Sequence, residues 1–185
     1  MKTTQTKFKW FWPWQDDKEE AWLEGMSAAG WHLRSMGLMG RYTLERGEPR
    51  PFTYRLDYIR LDKNKRADYM QIFQDAGWEY IGEMYNWQYW RKPVAAGESA
   101  EIFTDNDSKI KKYQRLLTIM GFFLVLLTVL GFNVFFNSTT FTDGSSIFDL
   151  IYFIGRLLYA VIIPLYIVIV VKLILRINQL KKTAL

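Results

Sequence analysis

Between Leu116 and Phe136 the chain reads LLTIMGFFLVLLTVLGFNVFF, with no charge and only Thr118, Thr128 and Asn133 as polar residues. A bilayer core of roughly 30 Å is crossed by about 20 such residues at the helical rise. A core helix of a soluble domain seldom runs this long without charge, so the stretch predicts a transmembrane helix. It continues from a juxtamembrane helix, giving one element over 105–136. A second apolar stretch, 147–175, is interrupted by Asp149, Arg156 and Lys172. It exceeds the hydrocarbon thickness, and residues 153–172 fit the bilayer best. Pro164 then falls mid-span and is expected to kink the helix.

Flanking charge orients the hairpin. Lys109, Lys111, Lys112 and Arg115 precede the first span, and Lys172, Arg176, Lys181 and Lys182 close or follow the second. The connecting segment has no Lys or Arg, so the positive-inside rule makes 137–146 an external loop. Both termini, including the basic tail 176–185, are then cytoplasmic, at the cell membrane. Residues 1–15 lack an apolar h-region, so no cleaved signal peptide is expected. Two residues inside the spans, Asn133 and Arg156, are the intramembrane polar candidates. Arg156 lies near the outer boundary among Tyr152, Phe153 and Tyr159, where snorkelling to the headgroups is the simpler role.

Composition closes several routes to chemistry. The 185 residues include no Cys and one His. Disulfides, thiolate nucleophiles, Cys-ligated metals and multi-His clusters are therefore excluded. No G-x-x-x-x-G-K-[ST] or G-x-G-x-x-G pattern is present, and no cofactor is expected. All eight Trp precede residue 91.

Working outward from the spans, residues 1–93 read as a cytosolic domain, within which residues 16–92 carry an internal correspondence at an offset of 47. Ala29-Gly30-Trp31 matches Ala76-Gly77-Trp78, Lys18 matches Lys65, and Tyr42 matches Tyr89. Trp22, Leu23, Met26 and Ala29 form one helical stripe that ends at Gly30, and residues 65–76 repeat it up to Gly77. After each glycine comes an alternating strand, then a second strand around Gly40–Arg46 and Trp87–Lys92. Extended segments precede each helix: Phe52, Tyr54, Leu56 and Tyr58 alternate with polar neighbours, and Phe8, Trp10 and Trp12 alternate similarly. Here the offset fails, so either an insertion or deletion is required or this strand is not duplicated. The expected fold class is α+β: a duplicated βαββ domain over about 7–46 and 52–93. Its antiparallel sheet of about six strands has two helices on one face, and a two-helix transmembrane hairpin follows. Residues 94–104 read as a linker, and Thr104 with Asp107 has capping-box spacing before the juxtamembrane helix. Asp105, Asn106 and Asp107 could also be read as a D-x-D metal motif, but no further carboxylate cluster is near, and no metal is expected.

Among the domain's polar residues, Arg55 and Asp57 share one face of their strand and are candidates for binding a ligand or partner. The alternative is a cross-strand ion pair. The domain holds 19 Phe, Trp and Tyr up to Trp90, more than a small core needs. Trp14, Tyr85, Trp87 and Trp90 are candidates for an exposed binding patch, with Trp87 and Trp90 as the principal pair. His32 sits opposite Trp31 and Leu33 and is expected to face solvent. Asp16, Asp17, Glu19, Glu20 and Glu24 read as a solvated acidic helix face. Residues 1–115 hold 19 Lys+Arg against 17 Asp+Glu, so nucleic-acid binding is not expected. The excess basic charge lies beside the membrane, where anionic lipid attracts it.

The segments AGWHL, RYTLERGEP, YRLDY, FQDAGWEYIG, WQYWRKP and EIFTDNDSKIKKY, followed by two spans, resemble the bacterial domain-of-unknown-function family DUF2812 over roughly residues 7–115. The resemblance implies no activity and no site residues. It does imply a genomic setting beside PadR-type transcriptional regulators, which is association rather than mechanism.

Three functional readings follow. The first is a non-enzymatic, membrane-anchored cytosolic binding or regulatory module for an unidentified protein or small molecule. The second is an accessory subunit of an integral membrane complex such as a transporter. The third is a membrane-associated enzyme using carboxylates such as Asp57.

Overall fold

A computed structural model describes residues 3–94, 106–136 and 147–183. The chain divides into two units, Met1–Lys112 and Tyr113–Leu185. The first contains strand Thr4–Phe8 (β1), helix Asp16–Ala28 (α1) and strands Trp31–Gly37 (β2) and Arg41–Arg46 (β3). Strand Phe52–Tyr58 (β4), helix Lys63–Asp75 (α2) and strands Glu79–Met84 (β5) and Trp87–Pro93 (β6) complete it. Asp16, Asp17 and Glu19 in the first turn of α1 complement the positive end of the helix. The chain leaves α1 through Gly30 at φ +81°, where a Cβ would lie 2.8 Å from the Gly47 carbonyl oxygen, so only glycine fits.

Pairing is antiparallel throughout, in the orders β1-β3-β2 and β4-β6-β5. The single sheet of about six strands expected from sequence is thus two sheets of three. The physical reason lies in β2 and β5, the strands through which the sheets would have to join. Each carries a register irregularity, between Leu33 and Ser35 and between Tyr80 and Gly82. Such bulges twist an edge out of line with a neighbour.

The two connectivities match, but the spacing is not constant. The irregularities of β2 and β5 stand 47 residues apart. Leu33 pairs with Leu44, however, and Tyr80 with Trp90, so β3 corresponds to β6 at a spacing of 46. The connection 38–40 between β2 and β3 is one residue longer than the Tyr85-Asn86 turn between β5 and β6. A one-residue slip inverts a strand's faces. The sequence match of Tyr42 with Tyr89 is therefore not a structural one: Leu44 occupies the place of Trp90, and Tyr42 that of Gln88. The first strand of each half departs from the offset as well. Phe8 pairs with Arg41 and Tyr58 with Trp87, putting β1 and β4 at a spacing of 50, because the connection from β4 to α2 is three residues shorter. β1 itself ends at Phe8, so Trp10 and Trp12 lie in the connection to α1 and not in a strand.

This inversion gives β6 two partners. Trp90 packs on Phe73 and Tyr69 of α2, with ring centroids 4.8 and 5.9 Å apart. Tyr89, on the other face, joins Tyr54 and Leu56 in a core shared with Leu33, Tyr42 and Leu44 of the first sheet and Leu23 of α1. The two helices therefore do not share one face. The second sheet is covered by α2 on one side and by the common core on the other, which is why β4 is buried on both faces.

The outward backbone of β4 is met by side chains. Glu20 Oε1 accepts the Leu56 N–H at 2.8 Å and Glu24 Oε1 the Tyr54 N–H at 3.2 Å. One helical turn between the glutamates spans nearly the same distance as two residues of strand. Lys112 Nζ donates to the Leu56 carbonyl at 3.1 Å.

Helix Asn106–Phe136 (α3) begins in this unit, where Ile110 and Lys112 are buried, and helix Ile147–Thr183 (α4) follows in the second. Lys109–Phe132 and Phe153–Lys182 are long and apolar enough to cross a membrane, and in each the chain buries only a small share, 11% and 6%, of an 18-residue apolar segment. A core helix would be mostly covered. In the second unit Tyr166 Oη donates to Met120 Sδ at 3.2 Å, and Gly131 admits the Tyr159 ring, which would stand 2.9 Å from a Cβ there. α4 continues through Pro164 as one helix and takes in most of the basic tail. The expected linker, apart from Val94, the external loop and the Thr104–Asp107 cap lie outside the described residues, as does the side chain of Asn133.

Candidate ligand pocket

The acidic residues of α1 are not a solvated face. Asp16, Glu19 and Glu20 are buried. Glu19 Oε1 accepts hydrogen bonds from both Tyr42 Oη and Tyr89 Oη, each at 2.7 Å. Tyr42 comes from the central strand of one sheet and Tyr89 from the central strand of the other, so one carboxylate oxygen ties the sheets together. Burial nevertheless raises the Glu19 carboxyl above its ordinary value, against the pull of the two hydroxyls. Burial also pushes Glu20 up to about 8, despite Lys112 and Arg55 beside it. Tyr42 and Tyr89 are raised as well, by burial and by the adjacent Glu19. Asp16 is held by Lys112 Nζ at 2.5 Å.

Above Asp16 and Glu19 lies a cavity of about 260 Å³. Trp10, Phe11 and Trp12 line it from the connection between β1 and α1, and Tyr85 and Trp87 line it from the second hairpin. Tyr42 and Tyr89 stand beside the carboxylates. Trp12 stacks on Trp14 at 5.3 Å and meets Trp10 edge-on at 6.0 Å, which steadies the aromatic wall. Local backbone geometry shapes the rim. Met39 and Gly40 end the β2–β3 connection at φ 58° and 71°, and Tyr85 and Asn86 turn the second hairpin at φ 50° and 66°. Met39, Trp10 and Tyr85 are exposed there, whereas Asp16, Glu19, Tyr42 and Tyr89 are buried.

The structure separates the four domain residues singled out from sequence. Trp87 lines the cavity. Trp90 is fully buried under α2, so it is no part of an exposed patch. Arg55 Nη1 sits 2.9 Å from Glu24 and 3.6 Å from Glu20, pairing the strand with α1. Asp57 is buried and accepts from Tyr69 Oη at 3.2 Å, on the α2 side of its sheet. Arg156 is half-buried in α4. His32, expected in solvent, is half-buried with both ring nitrogens engaged: Nδ1 lies 2.9 Å from Ser27 Oγ and Nε2 2.8 Å from the Glu48 carbonyl. A serine–histidine contact suggests a nucleophile and its base, but Ser27 has no exposed surface and also donates toward the Arg50 carbonyl. The cluster fastens the end of α1 to the segment between β3 and β4.

A second cavity of about 460 Å³ lies beside β2 and β5. Its charges are largely internal pairs, such as Arg91 with Glu79 at 2.7 Å and Arg50 with Glu48 at 3.2 Å. Among the described residues no three His, Asp or Glu converge to hold a metal ion.

Fold and site together define an α+β pocket domain, aromatic-walled and acid-floored, joined to two helices of membrane-crossing length. The chain belongs to the protein family of unknown function DUF2812, whose model matches residues 15–125, from just before α1 into α3. No curated protein and no solved structure matches it.

Proposed function

We propose that the chain is a non-enzymatic, membrane-anchored ligand-binding module, with the domain and both termini in the cytoplasm. The observation that carries this reading is the cavity over Asp16 and Glu19, an open-rimmed hollow whose buried carboxylates are already hydrogen-bonded into the core. Concave sites with mostly apolar walls and a few placed polar groups are the usual form of small-molecule sites. Regulation through occupancy fits such a module. The basic residues flanking the two spans support the orientation.

We also infer that the domain arose by duplication of a βαββ unit. Support comes from the matching strand orders, from Gly30 and Gly77 both at φ +81°, and from irregularities at corresponding places in β2 and β5. Equivalent anchors reinforce it: Arg46 Nη1 donates to the Ala29 carbonyl at 3.0 Å and Lys92 Nζ to the Ala76 carbonyl at 2.8 Å.

Two measurements test the module. A small-molecule library screened by thermal shift on the full chain in detergent should contain compounds that raise the midpoint, and Trp87→Leu should abolish those shifts. Hits that persist unchanged in Trp87→Leu would move the site elsewhere. The cysteine-free sequence allows single-cysteine labelling: Thr3→Cys should stay unlabelled by an impermeant maleimide in intact cells, and Thr140→Cys should react. The reverse pattern overturns the orientation. A second reading, an accessory subunit of an integral complex, draws on Arg156, an ionisable residue within the second apolar helix. Arg156→Leu would then release the chain from that complex.

A further inference from the structure

The cavity's chemistry is one-sided. Its lining includes two carboxylates, Asp16 and Glu19, and no Lys, Arg or His. Asp16 already has the Lys112 ammonium, but among the described residues no cation pairs with Glu19. The hydroxyl hydrogens of Tyr42 and Tyr89 are committed to Glu19, so toward any occupant these hydroxyls offer lone pairs only. An anionic ligand would meet like charge, and an uncharged apolar one would strip water from a carboxylate and give nothing back. The indole and phenol rings carry negative faces, which attract a cation without requiring a hydrogen bond from it. The chain itself illustrates the preference nearby: Lys9 Nζ stands 5.3 Å from the Phe11 ring centroid and 5.0 Å from that of Trp22. A volume of about 260 Å³ falls just below the roughly 300–1,000 Å³ of drug-sized sites, so it suits a compact group.

We propose that this cavity binds a small organic cation of the quaternary ammonium class, enclosed by Trp12, Tyr85 and Trp87 with Glu19 as its counter-charge. The assignment rests on the cavity being the ligand site of the module and names what that site selects. Its chemistry is common to a soluble ammonium compound and to a choline lipid headgroup.

The test uses the full chain in phosphatidylglycerol nanodiscs, with tryptophan fluorescence as the readout. Tetramethylammonium, choline and 3,3-dimethylbutan-1-ol, the uncharged counterpart of choline, are the probes. Choline and tetramethylammonium should bind saturably, and the neutral alcohol at least about tenfold more weakly. Tyr85→Leu, at the exposed rim and outside the core, should weaken choline about tenfold. Glu19→Gln should erase the preference for choline over the alcohol. Nanodiscs of phosphatidylcholine separate the two sources: a raised apparent choline dissociation constant there identifies the headgroup as occupant, and an unchanged one a soluble cation. Both outcomes support the ammonium class. Equal binding of choline and the alcohol, lost in Tyr85→Leu, overturns the cation assignment while the cavity stands as a binding site. Absence of any cation binding in folded protein overturns the assignment too, and failure of the library screen as well would remove the module reading.

Discussion

Lys112, near the start of α3, places its ammonium 2.5 Å from Asp16 Oδ2 of α1, across 96 residues of sequence, with both side chains at most 6% exposed. A buried pair of this kind adds little net stability compared with apolar packing, but removing one partner leaves the other charged and desolvated. Lys112→Met is therefore expected to destabilise the domain by about 3–5 kcal/mol. Adding Asp16→Asn should recover part of the loss. Thermal unfolding of the full chain in detergent measures both, and a neutral single variant would show that the pair is not buried in solution.

Glu19 receives two hydroxyls on one oxygen, so its partners should not behave independently. Tyr42→Phe and Tyr89→Phe should each cost about 1–2 kcal/mol. The double variant should depart from additivity by at least about 0.5 kcal/mol, because each tyrosine works on the same acceptor. Strict additivity in a double-mutant cycle would mean the two bonds do not coexist.

The pH dependence has a definite sign. Glu20 is raised from 4.5 to about 8 and Glu19 is raised as well. Between 4.5 and about 8 the folded chain retains at Glu20 a proton that the unfolded chain has released, so stability falls as pH rises. The unfolding midpoint should drop from about pH 5 to about pH 8, and Glu20→Gln should flatten much of that slope. Glutamine still presents an oxygen to the Leu56 N–H. A midpoint that climbs over this interval would contradict the burial of these carboxyls.

Gly40 is fixed by geometry at the cavity rim. Its φ is +71°, and a Cβ there would fall on the Lys9 carbonyl, which belongs to the residue whose N–H bonds the Gly40 oxygen at 2.8 Å. Gly40→Ala should cost about 2–4 kcal/mol, combining the left-handed penalty with a backbone clash. Met39→Gly, at φ 58°, should be neutral or stabilising in the same assay.

The helices, all strands but the first and the two apolar helices are legible in sequence because each is written in a local period: Trp22, Leu23 and Met26 at helical spacing, Tyr54, Leu56 and Tyr58 at strand spacing. What escapes is anything decided by a one-residue count in a connection. The shorter second hairpin turned Trp90 toward α2 and Tyr89 toward the shared core, and no periodicity within β6 distinguishes those faces, since both are aromatic. The burial of the acidic residues escapes for a related reason. Asp16, Glu19, Glu20 and Glu24 follow the helix period as a solvent face would, and their partners are backbone N–H groups, two tyrosines, Arg55 and Lys112, all far along the chain. One signal was available: the stripe recurs every three or four residues beside the apolar one, with no basic residue at helical spacing to neutralise it. Of the cavity, Trp87 and Tyr85 were visible as surplus aromatics, and the carboxylate floor was not.

The paired glutamates along β4 have a consequence for how this protein keeps its own company. An open strand edge is a template on which another polypeptide can add itself, and that is how many sheets begin to polymerise. Here the template is occupied from within by Glu20 and Glu24, whose carboxylates take the N–H groups of Leu56 and Tyr54, and by Lys112 on the Leu56 carbonyl. Along β4, a second copy of the domain would have to displace these side chains before it could extend the sheet.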